Sequence, residues 1–139
     1  MRFPNLERTG GFRISSDVSE DYNCFAFAAD DTTRWWDSIH YWPVGVVIDE
    51  SVEGFVRVYE SVGFQRCQDR NLERGFSKIA IYAIGNEATH AARQLPNGKW
   101  TSKLGPDEDI EHALEGLEGD FYGTVSQIMK RPVSDQAAS

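Results

Sequence analysis

Cysteine is scarce in this chain: Cys24 and Cys67 are the only two among 139 residues. Two thiols are too few for a disulfide framework, so a packed core has to hold the fold together. Basic residues are also in the minority, with 14 Lys and Arg against 22 Asp and Glu and a net charge of −8. Binding a phosphate backbone needs a basic surface, so nucleic acid is not an expected partner. No apolar run reaches spanning length, and no apolar stretch follows a basic start. No membrane association is therefore expected. The chain reads as cytoplasmic and bacterial in type, with signal-less export left open. Zinc-type spacing is missing as well. Cys24, Cys67, His40, His90 and His112 form neither C-x-x-C nor H-x-x-x-H, so no metal and no cofactor is expected.

What is present is ordinary for a globular domain: 40% hydrophobic and 26% charged residues, at a length that suits one core. The expected organisation is a single domain over 1–131 and a small, polar, flexible tail over 132–139. Phe3, Leu6, Phe12 and Ile14 suit an arm packed on that core. Val52, Phe55, Val56, Tyr59 and Val62 follow helical spacing, with Asp49 or Ser51 as cap and Gly63 as stop. Phe64 to Cys67 reads as an edge strand. Lys78 to Ala83 is a nearly continuous apolar run, as in a central strand covered on both faces. Ala88 to Leu95 and Lys99 to Leu104 flank Pro96-Asn97-Gly98, a strong hairpin signal. Asp107 to Leu117 reads as a short acidic helix after Pro106, and Tyr122 to Met129 as a last strand. Helices first and an antiparallel meander after them predict an α+β fold.

The stretch Asp21-Tyr22-Asn23-Cys24-Phe25-Ala26-Phe27-Ala28-Ala29 reads as the start of a short helix capped by Asn23. Cys24 then lies in the first turn, where the helix dipole favours a thiolate. His90 falls on a strand, sharing a face with Ala92 and Gln94. A cysteine at a helix start and a strand histidine are the layout of a thiol nucleophile and its base. A third group has to orient the imidazole. With a three-residue hairpin loop, Ser102 lies near Ala92 on the face of His90; other loop lengths bring Lys103 and Thr101 there. Ser102 and Asp109 are the candidates. Asn23 is the nearest side-chain donor for an oxyanion hole. Trp35, Trp36 and Trp42 suit the rim of a substrate groove or, equally, an aromatic loop closing the core. Cys67 has no partner at catalytic spacing and reads as structural.

Asn23-Cys24-Phe25-Ala26-Phe27-Ala28 on a helix and Thr89-His90-Ala91 on a strand resemble the papain-like cysteine peptidases, above all their compact NlpC-type cell-wall amidases. Tyr22-Asn23-Cys24, Trp35-Trp36, Lys78-Ile79-Ala80, Thr89 to Leu95, Trp100 to Gly105 and Asp109-Ile110-Glu111-His112 are similar to a group of small uncharacterised bacterial proteins. The resemblance implies N-terminal helices packed on an antiparallel sheet in a papain-like (NlpC-type) fold. It also implies a cysteine-dependent amide hydrolase or acyl-transferase, with Cys24 as nucleophile, His90 as base and Ser102 or Asp109 as orienter. The partner is then a peptide or amide-containing substrate. The chain departs from that pattern: no glutamine precedes Cys24 by a few residues, and no clear Asn or Asp follows on the strand after His90. The alternative is a non-catalytic module of the same fold that binds a protein or peptide.

Overall fold

The computed structural model describes residues 12–16, 23–29, 36, 42, 45–46, 49–103, 109–119 and 122–133. Seven strands form one sheet: β1 (Phe12–Ser16), β2 (Gln65–Cys67), β3 (Phe76–Ile84), β4 (Glu87–Gln94), β5 (Trp100–Lys103), β6 (Asp109–His112) and β7 (Thr124–Pro132). Their order across the sheet is β1-β6-β5-β4-β3-β7-β2, and every pairing is antiparallel. Among the described residues two helices accompany it, α1 (Cys24–Ala28) and α2 (Val52–Ser61).

Local chemistry explains several elements. β3 is buried from Lys78 to Ala83, as its apolar run requires of a strand covered on both faces. The β4–β5 hairpin closes through Leu95 N–H donating to the Lys99 carbonyl at 2.7 Å, which leaves Pro96, Asn97 and Gly98 as a three-residue loop. Gly98 has a φ of 86°, a conformation glycine takes without strain. Arg93 then pairs with Thr101 and Gln94 with Trp100. Helix α2 starts on Ser51, whose hydroxyl accepts from the Gly54 amide at 3.2 Å. Its Phe55, Val56, Val58 and Tyr59 are buried.

The α+β, papain-like (NlpC-type) layout of helices on a sheet is overturned. This is a small β-sheet domain, and its helices span only five and ten residues. The N-terminal arm supplies an edge strand, β1, and the segment expected to be an acidic helix contains β6. Ile110 and His112, both buried, share a face on a strand, and β1 and β5 flank them. One 3-10 turn, Leu114–Leu117, follows. Asp107 and Glu108 lie outside the described residues. Pro132, expected to open the tail, is instead the last residue of β7 and pairs with Phe76.

The core has two halves, one on each side of the sheet. On one side Ile79, Ile81, Ala91 and Met129 meet Ala26 and Phe27 of α1, Phe55, Val56 and Tyr59 of α2, and Trp36. On the other side Ala80, Tyr82, Ala92, Trp100, Ile110 and Ile128 meet Leu114, Leu117 and Tyr122.

Candidate functional site

Asn23 caps α1 as expected. Its Oδ1 accepts from the amides of Ala26 at 3.0 Å and Trp36 at 3.1 Å, and its Nδ2 donates to the Trp36 carbonyl at 2.9 Å. The side chain ties the helix start to the chain at Trp36, which engages one of its two amide N–H groups. Trp36 is buried beside Tyr59, and Trp42 is half-buried with its ring edge-on to Phe55 at 5.2 Å. Both tryptophans pack on the core. Trp35 and His40 lie outside the described residues.

Cys24 opens α1 and is 8% exposed. Burial pushes its thiol up to about 11, against smaller lowering effects from the backbone amides of Ala91, Phe25 and Cys24 itself and from the charge of Lys103. The one-turn helix therefore does not deliver a thiolate near neutral pH: desolvation outweighs the amides aimed at the sulfur. The place of Ala91 explains the geometry. The β4–β5 ladder runs only through Arg93 and Gln94, and past its end the Ala91 amide meets the Cys24 sulfur.

His90 is the next residue back along β4, and its ring goes to the other side of the sheet. It pairs across with Tyr82, and its ring lies flat on Tyr122 with centroids 4.1 Å apart. The imidazole is 0% exposed, and neither ring nitrogen has a hydrogen-bond partner. Burial holds it well below the usual histidine range, with a further push from His112. The expected Cys24–His90 pair is thus not formed. The thiol shares no hydrogen bond with the ring, and α1 packs on the face that His90 leaves.

Ser102 does lie on the face of His90, as a three-residue hairpin loop requires, but its partner is His112. Ser102 Oγ is 2.7 Å from His112 Nε2, and His112 Nδ1 is 2.6 Å from the Ala113 carbonyl. A carbonyl only accepts, so Nδ1 carries the proton and Nε2 accepts from the Ser102 hydroxyl. Both residues are buried. Burial lowers His112 to about 4, against a smaller raising effect from the Ala113 hydrogen bond. The result is a hydroxyl–imidazole pair sealed from solvent. His112 was not among the expected site residues. The signal for it was period two in Ile110-Glu111-His112, read there as a helix start. The side chain of Asp109, the other expected orienter, lies outside the described residues.

The exposed polar chemistry is elsewhere. β2 ends the sheet, and the loop after it carries Arg70, Leu72 and Arg74, all exposed. Leu72 is 53% exposed, the most of any large apolar side chain among the described residues. Arg66 on β2 pairs with Glu53, and Arg70 pairs with Glu115 at 2.7 Å. Cys67, half-buried, donates to the Asp69 carbonyl at 3.4 Å.

Among the described residues no three His, Cys, Asp or Glu side chains are grouped to hold a metal, and no helix is long and apolar enough to cross a membrane. Neither the curated proteins nor the solved structures yield a match to this chain. A family model does match, over residues 13–130, which takes in the sheet from within β1 to within β7. The chain belongs to that family, whose description is Domain of unknown function (DUF7689).

Proposed function

We propose that this chain is a non-catalytic binding module that takes an extended protein segment at its β2 edge. The observation that carries the reading is where the accessible chemistry lies. Cys24, His90, Ser102 and His112 are buried: the Cys24 thiol is protonated and unpaired with His90, and the Ser102–His112 pair is closed off from solvent. The β2 edge, in contrast, has no strand on its outer side among the described residues. An extended chain laid along such an edge gains main-chain hydrogen bonds, and side chains beside the edge supply selectivity. Here Arg66 lies on β2, and Arg70, the exposed Leu72 and Arg74 follow on the next loop; Arg66 and Arg70 would exchange their partners Glu53 and Glu115 for a ligand's carboxylates. A segment with an apolar residue next to acidic ones fits that set. The cysteine hydrolase reading lacks the thiolate–imidazole contact that its chemistry requires.

Selection from a displayed random-peptide library tests this. The expected result is a set of acidic-apolar peptides whose binding shifts backbone resonances of residues 65–74, and which Leu72→Asp weakens at least tenfold. Peptides that map to another surface, or that bind Leu72→Asp equally well, would overturn the reading.

A further inference from the structure

The side of the sheet away from the helices is covered by a strap, Ala113–Gly119, which returns to the sheet through Tyr122 and Gly123. Its apolar contribution is Leu114, Leu117 and Tyr122. Its attachments can be named one by one. His112 Nδ1 donates to the Ala113 carbonyl, and the Tyr82 hydroxyl donates to the Leu114 carbonyl at 2.6 Å. The Glu118 carboxylate accepts from the Val125 amide at 2.9 Å, and Gly119 exchanges two backbone hydrogen bonds with Gly123. The Thr89 hydroxyl donates to the Tyr122 carbonyl, and His90 lies flat under the Tyr122 ring. A buried histidine therefore stands at each end of the strap.

Neither histidine can accept a charge where it is. Protonated His90 would present two N–H groups to a site with no acceptor for either. Protonated His112 would place a cation in a site that is 2% exposed, and its Nε2–H would require the Ser102 hydroxyl to turn from donor to acceptor. Among the described residues, the titratable and charged groups on this side of the sheet are few. Tyr82 and the buried Lys78, which pairs with Glu73, come from β3, Cys67 comes from β2, and Tyr122, Glu115 and Glu118 come from the strap and its return. Arg70 reaches in from the loop after β2 and is paired with Glu115. β5 contributes Ser102 and Trp100, and β4 contributes Gln94, none of which ionises in this range. Among the described residues no carboxylate hydrogen-bonds to either imidazole.

We propose that the strap is an acid-released latch: protons taken up by His90 and His112 drive it off the sheet and expose the apolar face of Tyr82, Trp100, Ile110 and Ile128. The sign follows from linkage. In the closed state both rings are neutral, and in the open state both are hydrated and titrate near the ordinary value of ~6.5. The open state binds more protons below that pH, so acid favours opening. At pH 5 the shift is about 30-fold in the opening equilibrium for each histidine.

Native-state hydrogen exchange on the whole chain tests this, read as protection factors at pH 7.5 and pH 5. Amides of 114–119 should lose several-hundred-fold protection while those of 79–82 in β3 lose far less. His90→Phe, which keeps the stack on Tyr122, should remove about 30-fold of that loss, and Glu115→Gln and Glu118→Gln should leave it in place. Parallel loss at the strap and β3, a full shift in His90→Phe, or a shift abolished by either carboxylate variant would overturn the latch. If His90→Phe does not fold, histidine ring resonances of the wild-type chain decide instead. Rings that titrate near 6.5 with strap protection unchanged would overturn the proposal, and rings that titrate only as the strap opens support it.

Discussion

The ring of His90 lies on that of Tyr122 at 4.1 Å, with 7° between their planes. The contact is a good aromatic stack made by a residue whose two nitrogens are buried without partners. An unsatisfied buried polar group costs about 1–3 kcal/mol. Phenylalanine keeps the stack and removes both nitrogens. His90→Phe should therefore raise stability by ~1–2 kcal/mol at pH 7.5, seen as a higher urea midpoint at unchanged m. A lower midpoint would mean that the nitrogens have partners after all.

The thiols should react in the order opposite to that of a nucleophile and a bystander. Cys24 is buried with its thiol pushed up to about 11, whereas Cys67 is half-buried on an edge strand. Iodoacetamide at pH 8, with the label located by mass spectrometry, should modify Cys67 first. Cys24 should follow only as the protein unfolds, and His90→Ala should not speed it. Rapid labelling of Cys24 in the native protein would restore the thiol as a candidate nucleophile.

Removing the Ser102 hydroxyl strands His112 Nε2 in a buried site. Ser102→Ala should cost about 1–3 kcal/mol by chemical denaturation. The pH dependence has a fixed sign. His112 is neutral when folded, with its ring lowered to about 4, and ordinary when unfolded. Its full contribution is present above pH ~6.5 and is lost as pH falls from there to about 4, a change on the order of 3 kcal/mol. His112→Phe should make the stability profile less steep across that window, leaving the share that His90 contributes. A profile equally steep without His112 would assign the acid sensitivity to other groups.

Gly54 inverts the usual rule that alanine improves a helix. A Cβ there would stand 1.7 Å from the Asp49 carbonyl oxygen, and that atom belongs to backbone, which cannot swing aside. Helix propensity favours Gly54→Ala by up to ~1 kcal/mol, yet the clash should outweigh it. A net loss of ~1–3 kcal/mol is expected from overpacking of this kind, measured as a drop in Tm. A stabilised variant would show that α2 can move away from the residues before it.

Phe55 stacks on Phe25 at 3.9 Å and meets the edge of Trp42. Phe55→Ala should destabilise by about 3–5 kcal/mol in the same assay. An unmoved midpoint would make α2 peripheral.

Local patterns made much of this legible. The apolar run of β3, the buried face of α2 and the Pro96-Asn97-Gly98 turn are set by residues near one another in the chain, and all three were readable. Strand β6 was not. Acids after Pro106 imitate a helix start, and only β1 and β5, from elsewhere in the chain, make Asp109–His112 a strand. The site failed for a related reason. Alternation along β4 requires His90 and Ala91 to face opposite ways, which the sequence shows. Which of them faces α1 depends on how the helix docks, and no spacing within either segment encodes that. The Ser102–His112 pair became visible only once β6 was known to be a strand.

The place of β7 bears on how the chain folds. It comes last in sequence among the described strands, yet it lies between β3 and β2 and hydrogen-bonds to both. Strands β2 and β3 are close in sequence but cannot pair directly without closing the slot that β7 must enter. At the other side of the sheet, Phe12 waits for His112. Neither edge of the sheet can be completed before β6 and β7 are available, so the sheet closes only after most of the residues that form it are present. Contacts of such long sequence separation also make for slow closure. Until β7 arrives, the apolar β3 has one unfilled flank, and that interval is when the chain is most exposed to misassembly.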